Sequence, residues 1–464
     1  MTILSLILCL VPLWWIKRHK QRFNPTHPPA FVDACPVASR YETLWQSIHW
    51  KAFPEHTFQS HFLQPPLPYT AFVRAYLVKL DQGFSSMTRL RQYLCDHPAL
   101  VWRMGFTHAS HFDPDLVLPT ARHLTRLLRQ LPAICGQFLL DETVRLAREQ
   151  LHDDHFGEAI SLDTKHILAW VKENNPKAYT HDRFDKTKQP AGDPDCRLGC
   201  KRRHNQSPDR TTPFQNPQPA SQIVASVGEF YWGYASGVVA TKVADWGEFV
   251  LAEYTQTFDH ADVSYFDPLM HQVEARLGHK PRFGAFDAAF DAFYVYDYFA
   301  QTTDWTQGFA AVPLSGRSHP TRFDPDGHPL CPAGLSFHPA YTFTCRTTLV
   351  EHERMHYICP LKAKDCPIQH PRAAKGGCTH RLPTSIGARL RHQIDHESSL
   401  YKEIYRQRTA TERINSQAKA LGIERPMLRH QGAITNQNTL IYVLINLRTL
   451  QRHSSEAFLA QQAG

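Results

Sequence analysis

From Tyr69 to about Leu151, apolar residues recur at helical rather than strand spacing. Phe72, Tyr76, Val78 and Leu80 open the run, and Leu90, Tyr93 and Leu94 continue it. Leu124, Leu127, Leu128 and Leu131 mark another helix, and a third stretch reaches Leu151 from about Leu139. A small helical domain over residues 66–150 is expected. Upstream, residues 25 to about 60 are rich in Pro and His and predict irregular chain, so residues 1–65 read as an N-terminal extension. Past residue 151 the period changes. Glu158 to Asp163 and Arg282 to Asp287 each read as a short strand ending in an acid. Ile223 to Val227 and Phe230 to Val239 alternate aromatic and β-branched residues with Gly, as strands do. Phe266 to Leu277 reads as a helix, and Asn438 to Leu450 as a final apolar helix. The expectation for residues 151–464 is an α/β domain.

Two stretches interrupt this pattern. Residues 172–222 are rich in Pro, Asp, Lys and Arg around Lys201-Arg202-Arg203-His204, and predict a long cationic loop. Residues 303–390 hold many Pro and a cluster of Cys, and read as an inserted module.

The segment after that module carries two stripes. Leu400, Ile404, Ile414, Ala418 and Leu421 form an apolar one, so the segment reads as an amphipathic helix. Beside it stands the spacing Y-x2-R-x3-E-x6-K, made by Tyr405, Arg408, Glu412 and Lys419. At about 100° per residue these four fall within roughly 60° of one another. A solvated face with i,i+4 ion pairs would look like this. So would a metal-binding carboxylate flanked by phosphate-binding groups.

Charge leaves both readings open. The 464 residues hold 51 Lys and Arg against 43 Asp and Glu, a formal +8, with 28 His besides. A basic balance permits a polyanionic partner such as DNA. In the helical region Arg89, Arg91, Arg103, Arg122, His123, Arg126 and Arg129 would suit phosphate contacts. The apolar run Ile3 to Ile16 is shorter than the roughly 20 residues of a membrane-spanning helix and lacks a positive segment before it. A buried or adventitious extension is expected there, with a membrane anchor as the competing reading.

Of 11 Cys, five (Cys331, Cys345, Cys359, Cys366 and Cys378) fall within the inserted module. Cys331, Cys359, Cys366 and Cys378 offer four thiolates, enough for one tetrahedral Zn²⁺. Cys345, His352 and His356 are spare candidates, and Cys196-x3-Cys200-x3-His204 is a weaker set. Reduced cysteines packed in a small module are the other reading.

Three acids then share a role. Asp163 and Asp287 stand at strand ends and Glu412 on a helix. Three converging carboxylates are what a two-metal phosphoryl-transfer site requires, with Mg²⁺ or Mn²⁺ bound by oxygen and keeping positions open for water and phosphate. Arg408 and Lys419 are candidates for flanking phosphates, and Tyr405 for a phosphate or a base. Asp291 competes with Asp287 for the second position.

The combination resembles the DDE transposases of bacterial insertion sequences, in the group bearing the Y-R-E-K helix signature. The matching pieces are Ile160 to Lys165, Phe286 to Asp291, and Tyr405 through Lys419, with Phe290 where many relatives carry Tyr. Sequence around Cys331 to Gly334 and Cys359 to Lys362 is similar to transposases with a Cys-bearing insert. The resemblance covers roughly residues 66–450. It implies a ribonuclease-H-like core with an insertion domain, in which Asp163, Asp287 and Glu412 bind two Mg²⁺. It also implies cleavage at an element's terminal inverted repeats, attack of the freed 3′-OH on target DNA, a homodimer, and a place in the cytoplasm or nucleoid. A catalytically inactive, zinc-stapled DNA-binding descendant is the alternative.

Overall fold

In the computed structural model, residues 30–56, 67–106, 117–202, 228–313, 321–346, 349–361, 365–368 and 377–463 are described. The apolar run at residues 3–16 and the expected strand at 223–227 lie outside them. Seven helices open the described chain: α1 (Ala30–Asp33), α2 (Pro36–Trp45), α3 (Tyr69–Asp81), α4 (Met87–Asp96), α5 (Pro98–Met104), α6 (Ala121–Gln130) and α7 (Ala133–Leu151). Their starts follow local chemistry. Ser86 and Thr120 accept hydrogen bonds from the backbone N–H of Arg89 and His123, each at 3.2 Å, and so cap α4 and α6. Pro36 and Pro98 start α2 and α5, where a missing N–H costs nothing.

The expectation of irregular chain before residue 60 is corrected by α2. Within a Pro-rich composition, Ala38, Tyr41, Leu44 and Trp45 keep i, i+3, i+4 spacing and are buried. The Tyr41 hydroxyl donates to Asp81 Oδ2 at 2.8 Å, which fastens α2 to the end of α3.

The rest of the chain builds a mixed sheet. Its strands are β1 (Ala159–Leu168), β2 (Arg197–Arg202), β3 (Gly228–Val243), β4 (Gly247–Thr257), β5 (Phe283–Ala285) and β6 (Phe309–Ala311). β3 pairs antiparallel with β1, β2 and β4, whereas β1, β5 and β6 run parallel in that order. Two expectations change here. Residues 197–202 are not loop, because they pair with residues 228–233. Residues 309–311 are not insert, because they complete the parallel edge. α8 (Phe266–Leu277) lies against β3 and β4, with the helix bounds expected from its spacing. Gly237 allows this close approach: a Cβ there would stand 2.6 Å from Tyr265 Cδ1.

After β6 comes a separate antiparallel sheet of β7 (His338–Cys345), β8 (His352–Ile358) and β9 (Thr379–Pro383). It has its own small core of Cys331, Phe337 and Tyr357. α9 (Phe293–Phe299) and α10 (Gly387–Gln393) pack together beside it. α11 (Ser399–Arg406), α12 (Thr409–Ala420) and α13 (Gln431–Ala463) close the chain. α13 packs on β4 on one side and on α3, α6 and α7 on others, so the buried residues of sheet and helical region form one continuous core. Among the described residues, no helix is long and apolar enough to cross a membrane.

Candidate active site

Parallel pairing sets two of the expected acids side by side. Ser161 of β1 lies opposite Ala285 of β5, and Asp163 and Asp287 each follow two residues later. Asp163 is not at a strand end, since β1 continues to Leu168 against β3. Thr164 to His166 are half-buried polar residues, which hid this continuation from the apolar pattern. Asp287 does follow its strand directly, and caps a short 3-10 turn by accepting from Ala289 N at 2.8 Å. Asp291, the competing acid, is spent elsewhere: it pairs with Arg391 and accepts from the Tyr296 hydroxyl at 3.1 Å.

The expected single helix is two. α11 ends at Arg406 and α12 begins at Thr409, so Tyr405 lies on the first, Arg408 at the junction, and Glu412 and Lys419 on the second. The chain there changes to shorter backbone bonds, Gln407 N to Ile404 O and Arg408 N to Tyr405 O. The hydroxyls of Thr409 and Thr411 take the carbonyls of Arg406 and Arg408 at 2.9 and 3.0 Å, the local competition that bends helices at Thr. The apolar stripe survives the break, with Ile404, Ile414 and Ala418 buried.

α12 reaches the acids through Asn415, whose Nδ2 donates to Asp163 Oδ2 at 2.9 Å. Asn415 is buried and its Oδ1 has no hydrogen-bond partner. Asp163 Oδ1 accepts from Thr164 N at 2.8 Å. A third acid joins them: Thr164 Oγ1 donates to Asp262 Oδ1 at 2.8 Å, and Asp262 opens the 3-10 turn that leads into α8.

Burial pushes the Asp163 carboxyl up to about 6; the Thr164 N–H opposes this, Asp287 and Asp262 add to it, and Arg408 opposes. Burial also raises Asp287, against the Ala289 N–H, with Asp262 adding and Arg408 opposing. Asp262 is raised by burial, against the Thr164 hydroxyl. Three carboxylates thus share one region with one nearby guanidinium. That guanidinium is committed outward as well, since Arg408 Nη2 lies 3.1 Å from Glu412 Oε1. Glu412 is exposed. Lys419 meets Glu424 at 3.5 Å, and Lys165 meets the same acid at 2.5 Å.

Sequence reasoning missed Asp262 and Asn415. Asn415 had a signal, being a polar residue beside Ile414 on the buried side of an amphipathic helix. Asp262 had none, because it lies in a turn with no spacing to the other acids.

Two sets of ligand atoms lie within 4.8 Å of one another among the described residues: Asp193, Asp195 and His430, and Asp324, Asp326 and His328. Asp163, Asp287 and Glu412 are not such a set, nor are the four cysteines. Cys331, Cys359 and Cys378 do gather around one small core, of which Cys366 is not a member, and Cys359 N donates to Cys378 O at 2.9 Å. All described cysteines are free thiols.

No family model matches the chain, and no curated protein or solved structure matches it.

Proposed function

We propose that this chain is a DDE transposase with a ribonuclease-H-like core, catalysing metal-dependent strand cleavage and strand transfer on DNA. One observation carries the reading. Asp163 within β1 and Asp287 just past the end of β5 each follow the parallel pair Ser161–Ala285 by two residues, burial raises the pKa of both, and α12, which carries Glu412 and Lys419, is tied to Asp163 through Asn415. Strand order and direction support it too: three antiparallel strands, β4, β3 and β1, continue into two parallel ones, β5 and β6.

The residues suit Mg²⁺ or Mn²⁺. The donors are all oxygen, their charges are opposed by one Arg, and the orphaned Asn415 Oδ1 adds a neutral oxygen. Asp163 and Asp287 would hold the ions, with Asp262 beside them and Glu412 joining once Arg408 releases it. Bound ions supply Lewis-acid stabilisation to the attacking and leaving oxygens of an in-line displacement. The protein's own groups position and neutralise. Arg408 can turn from Glu412 to a phosphate bidentately, Lys419 offers a point charge, and Tyr405 a hydroxyl or a stacking face. Outside the site, Arg122, Arg126 and Arg129 line the exposed face of α6, opposite buried Leu124 and Leu128, and suit the DNA backbone. By resemblance, the substrates are terminal inverted repeats and target DNA, the acting form is a homodimer, and the compartment is the cytoplasm or nucleoid.

A non-catalytic DNA-binding descendant is the second reading, favoured by the Arg408–Glu412 pair that keeps Glu412 from the two aspartates. Incubating the protein with DNA carrying the flanking inverted repeats and Mg²⁺ separates the two. Cleavage lost in Asp163→Ala, Asp287→Ala and Glu412→Gln, with DNA binding retained, supports the transposase. Binding without cleavage in the wild type supports the descendant.

A further inference from the structure

The turn before β2 meets the first residues of α13. Its conformation is held by Gln189, whose Nε2 donates to the carbonyls of Asp193 at 3.1 Å and Cys196 at 2.6 Å. Asp193 is fully buried. Its Oδ1 accepts from the Tyr234 hydroxyl at 2.9 Å, His430 N at 3.2 Å and Asp195 N at 3.3 Å. Asp195 Oδ2 accepts from Gln431 N at 3.0 Å and lies 3.5 Å from His430 Nδ1.

Part of this is helix capping. Acidic side chains satisfy the first N–H groups of a helix and favour its positive end. Capping leaves one atom unexplained. Asp193 Oδ2 is buried and has no hydrogen-bond partner. Removing an ionised carboxylate oxygen from water without a donor or a cation is costly, and no Lys or Arg ion pair to Asp193 or Asp195 occurs among the described residues. A carboxylate oxygen from each acid and a ring nitrogen of His430 lie within 4.8 Å of one another. The imidazole is also brought there at a cost, because His430 has a left-handed backbone, φ 72°, which a β-carbon disfavours.

We propose that Asp193, Asp195 and His430 bind one divalent cation, separate from the Asp163 region. Two carboxylates and one imidazole form a mixed oxygen and nitrogen set that suits Mn²⁺ or Zn²⁺, with water completing the shell. The ion staples the turn before β2 to the start of α13. Because α13 packs on both sheet and helical region, ion binding stabilises the whole fold. The site stands whether or not the chain cleaves DNA.

Mn²⁺ is the probe, since thiolates of the cysteine module favour softer ions. The full chain carrying Asp163→Asn, Asp287→Asn and His328→Gln, which weakens the Asp163 region and the set of Asp324, Asp326 and His328, is titrated with Mn²⁺ and followed by electron paramagnetic resonance. One equivalent is expected to bind, with a pulsed-resonance ¹⁴N coupling from a directly bound imidazole. His430→Gln should abolish that coupling and weaken binding at least about tenfold, the loss of one ligand. Asp195→Asn should weaken binding likewise, and Asp193→Asn is avoided because it removes a buried cap. A thermal midpoint that Mn²⁺ raises in the parent but not in His430→Gln would support the staple. No bound Mn²⁺, bound Mn²⁺ without ¹⁴N coupling, or a coupling unchanged in His430→Gln would each leave the acids as helix caps only.

Discussion

Asn415 donates its side-chain amide to Asp163 across 252 positions of sequence, at 2.9 Å, and this bond ties α12 to β1. The partner oxygen is buried carboxylate, so the bond is charge-assisted and stronger than a neutral one. Asn415→Ala should lower unfolding free energy by about 1–3 kcal/mol, the range for leaving a buried polar group unpaired. Mn²⁺ affinity should fall with it. Urea unfolding and Mn²⁺ titration read the two effects. Unchanged values in both would show that the bond neither supports the fold nor orients Asp163.

Arg408 is the cation opposing both Asp163 and Asp287, and it is also the partner of Glu412. Under the proposed function it would compete with a metal ion in the DNA-free protein. Arg408→Ala should tighten Mn²⁺ binding several-fold while weakening binding of the DNA ends, because the competing charge and the phosphate contact disappear together. Weaker Mn²⁺ binding in this variant would show that Arg408 supports rather than opposes the ion.

The raised pKa of Asp163 gives a pH dependence with a definite sign. Its folded value of about 6 lies above an ordinary carboxylate, so through the interval between them the folded chain holds the extra proton. Stability contributed by this group is present at low pH and is lost as pH rises from about 4 to 6. Asp287 and Asp262 shift in the same direction. In metal-free buffer, the wild type should lose more stability than Asp163→Asn between pH 4.5 and 7. Urea midpoints of the two proteins at both pH values check this. An equal change in both proteins would remove Asp163 as the source.

Gly237 gives Tyr265 room, and Tyr265 ends the turn that Asp262 begins. Gly237→Val should displace that turn at a cost of about 1–3 kcal/mol, the range for overpacking. Mn²⁺ affinity should drop as Asp262 moves from Thr164. Thermal unfolding and Mn²⁺ titration measure both, and wild-type affinity in a destabilised variant would separate Asp262 from the metal site.

Much of the architecture was legible where one side of an element is plainly apolar. The spacing of Phe266 to Leu277 marked α8 at its true ends, and Arg282 to Asp287 marked a short strand, whose paired part is Phe283–Ala285. Legibility failed where tertiary pairing or local hydrogen bonding decides. β2 exists because residues 228–233 pair with it, though its own residues are cationic. β1 outruns Asp163 because β3 pairs with it as far as Leu168. The helix break at Gln407 and Arg408 comes from Thr hydroxyls competing for carbonyls, while the heptad-scale stripe reads straight through it. At the site, Asp163 and Asp287 were legible as strand-borne acids. Asp262 came to them only through the fold, and Glu412 stands with Arg408.

Metal-ion rescue on modified DNA tests most directly whether Asp163 and Asp287 run a metal-assisted phosphoryl transfer. The substrate is the element's end with sulfur replacing the 3′-bridging oxygen at the scissile phosphate. An ion that stabilises the leaving atom prefers oxygen when it is Mg²⁺ and accepts sulfur better when it is Mn²⁺. Cleavage should fall by about a hundredfold or more in Mg²⁺ and recover largely in Mn²⁺, consistent with an ion on the leaving oxygen. Asp163→Asn and Asp287→Asn should show no recovery. Cleavage that is lost equally in both ions, or that recovers in the two variants, would contradict a metal-bearing Asp163–Asp287 site.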